Sequence, residues 1–447
     1  MAYQHHDNYS FLTEAPVRRV VLVLAVPAVV SMLVTSLYNM ADTYFVGRLS
    51  TQAVAAVGVA FAVMSVIQAV GFFFGHGSGN YVAQALGARR GAEAARLASA
   101  GLQLGVAGGA VLAVAGLLWL APLVRLSGAT PTVQPLAERY VGIVLLGAPF
   151  MTGAFTLSNQ LRLQGHAFRA MLGILSGALF NVMLAPLFIF VFGWGIGGAA
   201  WATVVSQACA FGALLWQARR PGSVRISLRP MRPAAEVFRE IARGGTPSLL
   251  RQGLACAAVA VLNLAAAPYG DAAIAAMSVV GRVSFFVYAA VIGLGQGFQP
   301  LCGFCYGAGR YGRVRAGFVF CVSAGTALLV GCAMVCWCCA EGIVALFRAD
   351  PAVVAVGAEA FRWQILAWPL LAFTGVANQM LQTLRLAWRA NLVAAARSGL
   401  FFLPLALVLP AAFGLRGVEL IQPVSDVCAF LLALPVVLFT FRQMARR

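Results

Sequence analysis

Long apolar runs dominate the chain, and short polar or arginine-bearing segments separate them. Each run approaches the roughly 20 residues that a helix needs to cross the hydrocarbon core of a bilayer. The pattern predicts an all-α polytopic membrane protein with twelve transmembrane helices. The predicted spans are 17–46, 53–85, 93–122, 134–161, 168–192, 196–218, 238–267, 272–305, 314–346, 355–384, 388–413 and 417–441. Several spans are longer than a bilayer is thick, which predicts tilted or overhanging helices.

The second half of the chain repeats the first at a distance of 220 residues, without a gap. Aligned pairs include Pro27 with Pro247, Gly77 with Gly297 and Gly87 with Gly307. A period this long indicates a duplicated domain rather than a solenoid. Because each half holds six spans, both halves enter the membrane in the same orientation, as in transporters with parallel repeats. The predicted parts are an N-terminal lobe (1–218), a cytoplasmic basic linker (219–237) and a C-terminal lobe (238–447).

Composition and charge agree with a membrane protein. Hydrophobic residues make up 61% of the chain and charged residues 10%, whereas a soluble protein has about 25% charged residues. Lysine is absent, and the arginines concentrate at both ends, in the linker and in loops on one side, among them Arg89, Arg162 and Arg310. The positive-inside rule therefore predicts a bacterial inner-membrane protein with both termini in the cytoplasm. Because these charges flank membrane spans, the net charge of +18 does not indicate a nucleic-acid partner.

Two of the 13 acidic residues, Asp42 and Asp426, lie clearly inside predicted spans. A carboxylate in hydrocarbon is costly, so each one is a functional hypothesis. At 1.5 Å per residue, Asp42 and Thr203 lie roughly 9 Å below the outer surface, and Asn181 lies about 18 Å below it. These three residues can share the outer half of the N-terminal lobe, where they form a candidate proton or cation site. A structural hydrogen-bond network between helices is the alternative.

Pro27 lies in the same predicted span as Asp42. A proline inside a helix removes a backbone hydrogen bond and kinks the helix. A bend in this helix would couple the charge of Asp42 to helix shape, so Pro27 is the candidate hinge. A static kink is the alternative.

The C-terminal lobe differs in its charges. Arg282 and Arg397 lie too deep in spans 8 and 11 to reach a membrane surface easily. Asp426 is the available buried counter-ion. We therefore interpret these arginines as candidates for an ion pair, such as Arg282–Asp426, that joins helices. The alternative is a substrate contact that favours zwitterionic or anionic compounds. The candidate substrate cavity consists of Arg282, Asp426, Gln252, Gln296 and His76, although His76, which lies between two glycines, is more typical of a residue that fills a polar gap.

Several segments resemble the multidrug and toxic compound extrusion (MATE) family, in particular its DinF-like and MepA-like bacterial branch. They are Pro27-Ala-Val-Val-Ser-Met-Leu with Asn39-Met-Ala-Asp42-Thr, Gly195-Ile-Gly-Gly-Ala-Ala-Trp-Ala-Thr203, Thr246-Pro-Ser-Leu-Leu-Arg-Gln252 and Gly293-Leu-Gly-Gln-Gly-Phe-Gln-Pro300. The resemblance covers nearly the whole chain in order. It implies two six-helix lobes, alternating access, and export of cationic or amphipathic compounds driven by inward proton or sodium flow. By position, it assigns the cation site to Asp42, Asn181 and Thr203.

One departure from the family bears on the coupling ion. The family often has Asn-x-x-x-Asp-Pro in span 5, whereas this chain has Asn181-Val-Met-Leu-Ala185-Pro186. Loss of the second carboxylate weakens a sodium site, which needs several oxygens with enough negative charge. A lone buried Asp42 can still bind and release a proton. We therefore favour proton over sodium coupling.

The remaining expectations concern partners and rival functions. No cofactor is expected beyond the coupling ion. No metal site is predicted, because Cys302-Gly-Phe-Cys305 has no second such motif or histidine beside it. No catalytic motif indicates an enzyme. We expect a monomer whose partners are small amphipathic substrates and membrane lipids. A lipid-linked glycan flippase of related architecture is the alternative function; spans beyond twelve would favour it, and none is predicted.

Overall fold

The computed structural model describes residues 7–227, 235–347 and 350–446, with every side chain in them except those of residues 7, 36–41, 43 and 51. Within these ranges the chain is helical and contains no strand. The predicted all-α class, with twelve membrane helices in two six-helix lobes, is confirmed. Part of the predicted linker, residues 228–234, lies outside the described ranges.

The helices follow one another through short turns. They are α1 (Asp7–Glu14), α2 (Val17–Gly47), α3 (Thr51–Gly87), α4 (Gly91–Leu118), α5 (Leu120–Leu126), α6 (Gln134–Leu146), α7 (Ala148–Leu163), α8 (Ala167–Pro186), α9 (Gly195–Ala218), α10 (Ala235–Ala266), α11 (Asp271–Gly307), α12 (Tyr311–Cys338), α13 (Ala340–Phe347), α14 (Pro351–Thr383), α15 (Ala387–Ala395), α16 (Phe402–Phe413) and α17 (Leu415–Ala445). Single π-helical turns follow α8 (Leu187–Val191) and α15 (Ala396–Leu400), and a 3₁₀ turn (Ala267–Tyr269) follows α10. Helices α2–α9 form the N-terminal lobe and α10–α17 the C-terminal lobe.

Several predicted spans are interrupted rather than straight. The fourth span consists of α6 and α7, which meet at Gly147 with a bend of 53°. Pro149 lies in the first turn of α7, a position where a missing backbone N–H is tolerated. The fifth and eleventh spans each contain a π turn, which re-aims the side chains that follow it.

Ten helices in the described ranges are long and apolar enough to cross a membrane, and the bent pair α6–α7 makes eleven. The twelfth is α14, which has 33 residues but carries the buried polar side chains Asn378, Gln379 and Gln382. These side chains lower its hydropathy. Because they face other helices instead of lipid, α14 is still suited to span the membrane.

Four helix connections lie on the same face of the bundle as α1 and the end of α17. These connections are residues 87–91, 163–167, 307–311 and 383–387. We call this the terminal face, and the other end of the bundle the opposite face.

Helix α1, which the sequence pattern did not predict, lies across both lobes at the terminal face. Its Leu12 is fully buried. On one side Nη1 of Arg310 donates to the carbonyl oxygen of Thr13 at 2.6 Å. On the other side the amide nitrogen of Asn8 lies 3.3 Å from the ring of His166. Eight residues are too few for a membrane span, and hydropathy alone did not reveal this helix.

Three large apolar clusters show how the lobes meet. One cluster joins the lobes near the terminal face; it includes Leu24, Ala83, Leu163, Phe298, Leu301 and Val376. A second lies within the N-terminal lobe and includes Val46, Ile67, Tyr140 and Ala185. The third lies within the C-terminal lobe and includes Val280, Phe361, Trp368 and Ile421. The lobes therefore share one apolar cluster near the terminal face, and toward the opposite face each lobe packs around a cluster of its own. We call the region between those two clusters the cleft.

Glycines allow the lobes to approach backbone to backbone. A Cβ atom placed on Gly87 would lie 2.2 Å from the carbonyl oxygen of Phe304, and one on Gly307 would lie 2.2 Å from that of Gln84. The two contacts are equivalent under the repeat, because Gly307 is the repeat partner of Gly87 and Phe304 is the repeat partner of Gln84. The pseudo-twofold axis of the duplication therefore passes between them.

Two further glycines extend this interface. A Cβ atom on Gly77 would lie 2.2 Å from the carbonyl oxygen of Ile241, and one on Gly297 would lie 2.5 Å from the Cα atom of Ala25. We call Gly77, Gly87, Gly297 and Gly307 the glycine seam. Only a residue without a side chain permits such close approach.

We expect Gly297→Val to destabilise the protein, because the added side chain must separate α11 from α2. Overpacking of this kind costs about 1–3 kcal/mol. The matched control is Gly331→Val, since Gly331 lies in α12 and a Cβ atom added to it would meet nothing within 4 Å. Thermal unfolding midpoints in detergent, followed by tryptophan fluorescence, provide the measurement. Equal losses in the two variants would contradict the seam.

Candidate functional site

Asp42 is buried in the apolar interior of the N-terminal lobe. The hydroxyl of Tyr140, on α6, donates to its Oδ2 atom at 3.4 Å. Its Oδ1 atom is also buried and has no hydrogen-bond partner in the described part of the chain. Nothing in the sequence had indicated Tyr140, which lies in an apolar stretch of the fourth span. One carboxylate oxygen of Asp42 is therefore free to take a proton or an ion.

Asn181 and Thr203 form a second polar pair in the same lobe. Nδ2 of Asn181 lies 3.5 Å from Oγ1 of Thr203, which donates in turn to the carbonyl oxygen of Ala199 at 3.1 Å. Oδ1 of Asn181 is buried and accepts no hydrogen bond from the described residues. The recorded bonds thus divide the three predicted site residues between two pairs, Asp42 with Tyr140 and Asn181 with Thr203.

Ala185 occupies the position where family members often have a second acid. It is fully buried in the apolar cluster of the N-terminal lobe. No charge or side-chain oxygen is supplied from this position.

Pro27 lies inside α2, which continues as one helix on both sides of it. The hydroxyl of Ser31 donates to the Pro27 carbonyl oxygen at 2.8 Å. Two residues to either side, Ala25 and Val29 pack against the glycines of α11, and a Cβ atom on Gly293 would lie 2.5 Å from Val29. The segment around Pro27 is therefore part of the contact between the lobes.

The predicted Arg282–Asp426 ion pair is wrong, because Asp426 pairs with Arg397. Nε of Arg397 donates to Oδ1 of Asp426 at 2.7 Å, and Gln422 and Gln364 donate to the same carboxylate at 2.9 and 3.0 Å. Asp426 itself is fully buried. Depth along a span could not distinguish the two arginines, since the direction of a side chain around the helix axis decides the partner.

Arg282, on α11, is exposed. It precedes Gly293 by eleven residues, about three helical turns, so the two share one helix face. That face packs against α2 at Gly293 and Gly297. Farther from the terminal face it is open, and Phe286 on it is also exposed.

Arg251 and Gln252 are neighbours on α10, and both are partly buried. Nη1 of Arg251 donates to Oδ1 of Asn378 at 3.0 Å. The Arg397 guanidinium lies over the ring of Tyr288, with Cζ 4.7 Å from the ring centre. The interior of the C-terminal lobe therefore holds two arginines and two acids, Asp426 and Glu419, of which only Asp426 forms an ion pair among the described residues.

His76 and Gln296, which are repeat partners, meet at a buried polar network between the lobes. Nη1 of Arg162 donates to Oε1 of Gln296 at 2.8 Å, and its Nη2 atom contacts Asn159 and lies 3.5 Å from Nε2 of His76. The sequence placed Arg162 in a loop at the membrane surface. That assignment is wrong, since only 5% of Arg162 is exposed.

The same network continues into the C-terminal lobe. Nδ1 of His76 lies 3.1 Å from the hydroxyl of Ser248 on α10, which accepts a hydrogen bond from Gln382 on α14 at 2.7 Å. His76 and Gln296 thus contribute to closing the cleft at the terminal face.

Two six-helix lobes that close a cleft at one face, each with buried polar groups, are the architecture of an alternating-access membrane transporter. Residues 27–187 and 247–408 each match the MatE family model, one match in each half. The chain belongs to the MATE family of transporters.

Relatives of known name agree with this assignment. The chain is 25% identical over 414 residues to the multidrug export protein MepA of Staphylococcus aureus strain MRSA252, covering 92% of this chain and 91% of that protein. It is 26% identical over 428 residues to MepA of Staphylococcus haemolyticus, with 95% and 94% covered. A solved outward-facing multidrug resistance MATE transporter covers 99% of both chains with a TM-score of 0.92 at 24% identity, which establishes a shared fold. These relatives do not favour the glycan flippase.

We expect Arg397→Gln to lower the free energy of unfolding by about 3–5 kcal/mol, because it leaves the buried Asp426 carboxylate without its cation. The double variant Arg397→Gln/Asp426→Asn should recover most of this loss. Unfolding in mixed detergent micelles is the measurement. Arg282→Gln is the control, with an expected change within about 0.5 kcal/mol. A loss in Arg282→Gln as large as in Arg397→Gln would show that the assigned pair is wrong.

Proposed function

We propose that this protein is a cation-coupled antiporter that exports amphipathic drugs or metabolites by alternating access, with protons favoured over sodium. The relatives are named multidrug export proteins, which supports small amphipathic substrates. The arginine distribution supports a bacterial inner-membrane protein with both termini in the cytoplasm. We further propose that it works as a monomer in contact with membrane lipids, because one chain supplies both lobes.

The unpartnered Oδ1 atom of Asp42 is the observation that carries the coupling proposal. The carboxylate lies in an apolar cluster, and the described contacts include no positively charged partner for it. An intramembrane acid in such surroundings is typical of proton-coupled transporters. Binding and release of a proton at this atom changes the cost of keeping the side chain buried, which gives the lobe two states of different energy.

The preference for protons follows from the oxygens near Asp42. Asn181 and Thr203 supply neutral oxygens, and Ala185 supplies none where the family often has a carboxylate. A sodium ion needs several oxygen ligands, and among these residues only Asp42 supplies charged ones. A proton needs a single acceptor atom, which Asp42 provides.

Helix α2 connects this acid to the interface between the lobes. Asp42 lies near one end of the helix, and Ala25 and Val29 lie near the other end, against Gly297 and Gly293. Pro27 lies between those two contacts. We propose that bending near Pro27, in response to the charge of Asp42, loosens the contact of α2 with α11.

We expect Asp42→Asn to abolish drug-stimulated proton movement, because an amide cannot take up the proton. Purified protein in liposomes that contain pyranine allows this movement to be measured when ethidium, an amphipathic cation, is added. Runs with and without an inward sodium gradient separate the two coupling ions. Asp271→Asn is the matched control, since Asp271 is exposed at the start of α11.

Tyr140→Phe provides a second test at the same carboxylate. It keeps the acid but removes the recorded hydrogen bond, so transport should persist with a shifted pH profile. Undiminished proton-coupled transport by Asp42→Asn would refute the coupling role of Asp42. Transport that follows only the sodium gradient would refute the preference for protons.

A further inference from the structure

A polar cluster inside the C-terminal lobe carries an excess positive charge. The buried Glu419 lies two helical turns from Asp426 on α17 and, among the described contacts, forms no hydrogen bond or ion pair with the arginines of this cluster. Arg251 comes from α10, Arg397 from the π turn after α15, and Asp426 from α17. Tyr288 of α11 and Asn378 of α14 complete the cluster. Five membrane spans thus contribute to it, and it holds two guanidinium groups but one carboxylate.

Asp426 neutralises Arg397 alone. Its Oδ1 atom accepts from Arg397 and Gln422, and its Oδ2 atom accepts from Gln364. The carboxylate therefore has partners on both oxygens. Arg251 donates to the neutral amide of Asn378, and no acid among the described residues pairs with it. A cation inside a membrane protein without a matching anion is costly and marks a functional position.

Both arginines keep donors available. Arg397 bonds Asp426 through Nε, and none of the described residues accepts from its Nη1 or Nη2 atoms. Nη2 of Arg251 likewise has no recorded acceptor in the described ranges. Arg397 remains 28% exposed although its partner Asp426 is fully buried. The planar guanidinium group presents paired N–H donors that match the oxygens of a carboxylate or phosphate.

Tyr288 connects the two arginines. The Arg397 guanidinium lies over its ring, and its hydroxyl lies against Gly375 of α14, one helical turn from the Asn378 that binds Arg251. The ring offers an apolar surface beside the two cations. A molecule with an apolar body and an anionic end would satisfy both features at once.

We propose that the interior of the C-terminal lobe binds the anionic group of an amphiphile, a carboxylate or phosphate, between Arg251 and Arg397 and beside Tyr288. The anion provides the negative charge that Asp426 does not supply to Arg251. Asp42 in the N-terminal lobe offers the reverse environment, a carboxylate with no cation among its described contacts. A zwitterion with well-separated charges would therefore find a complementary group in each lobe.

The proposal rests on the proposed function for the idea that small amphiphiles enter the cleft. Its test measures binding alone, so a failure of proton coupling would leave the result unaffected. The probes are 1-pyrenebutanoate and its uncharged methyl ester, which share one apolar body. Fluorescence anisotropy of each probe is titrated with the full-length protein in phosphatidylcholine nanodiscs.

We expect Arg251→Gln to weaken pyrenebutanoate binding about tenfold or more, the loss typical of a hydrogen bond between charged groups. Binding of the methyl ester should change less than about twofold, because it lacks the charge. Arg397→Gln/Asp426→Asn removes both charges of the ion pair and should weaken the carboxylate in the same way. Arg416→Gln is the control for overall charge, since Arg416 belongs to the same lobe and its side chain is 77% exposed.

Two results would overturn the proposal. One is a ratio of pyrenebutanoate affinity to ester affinity that stays unchanged in both Arg251→Gln and Arg397→Gln/Asp426→Asn, while both variants keep the thermal unfolding midpoint of the parent protein. The other is an equal loss in Arg416→Gln, which would assign the effect to general charge.

Nanodiscs that contain phosphatidylglycerol distinguish a lipid phosphate from a free amphiphile as the occupant. Competition by this lipid in the parent protein, but not in Arg251→Gln, identifies a lipid headgroup at the site. Unaltered pyrenebutanoate affinity identifies the free amphiphile. Equal competition in the parent and in Arg251→Gln would contradict the assigned site.

Discussion

The close contact of the two lobes at the glycine seam determines the rest of the structure. Gly87 and Gly307 each meet the backbone of the other lobe at a distance that any side chain would prevent. This contact fixes where the lobes join and therefore where they separate. Because α2 and α11 touch at the terminal face, the opposite end of α11 is open, and Arg282 is exposed on it. Each lobe is then left with its own apolar cluster around its own polar groups.

The duplication preserved this scaffold and changed the chemistry inside it. The seam glycines occupy matching positions in the two halves, whereas the buried charges do not. Asp42 corresponds to Leu262, and Arg251 corresponds to Ser31. Arg397 corresponds to Gly177, which packs tightly against Ala210 and leaves no space for a side chain. Asp42 consequently has no cation among its described contacts, whereas the cluster in the other lobe holds two arginines and one acid, Asp426.

Hydropathy and the repeat predicted the spans and the two lobes, because both signals are carried by long stretches of sequence. The candidate sites depended on direction around each helix, which a single sequence does not specify. Arg282 and Arg397 both lie deep in the membrane, yet a π turn brings only Arg397 to Asp426. Arg162 is the second-last residue of α7, and proximity to a helix end suggested a loop. The sequence did not indicate Tyr140 as a site residue, because its role depends on the contact of its hydroxyl with Asp42, which only the structure shows.

The distribution of ion pairs is consistent with a transporter whose lobes separate at the terminal face during each transport cycle. In the described ranges, each recorded ion pair lies within one lobe or joins α1 to the start of α12, and none connects α2–α9 with α10–α17. The lobes instead meet through apolar contacts, glycines and hydrogen bonds such as those from Arg162 to Gln296 and from Gln84 to the carbonyl oxygen of Thr383. A hydrogen bond contributes about 1 kcal/mol between neutral groups and about 1.5–3 kcal/mol with a charged donor such as Arg162, because water replaces the partner. Separating a buried ion pair costs about 3–5 kcal/mol when one charge is left unpaired. The strong pair of Arg397 and Asp426 can therefore hold one lobe rigid, while the weaker contacts between the lobes allow the terminal face to open.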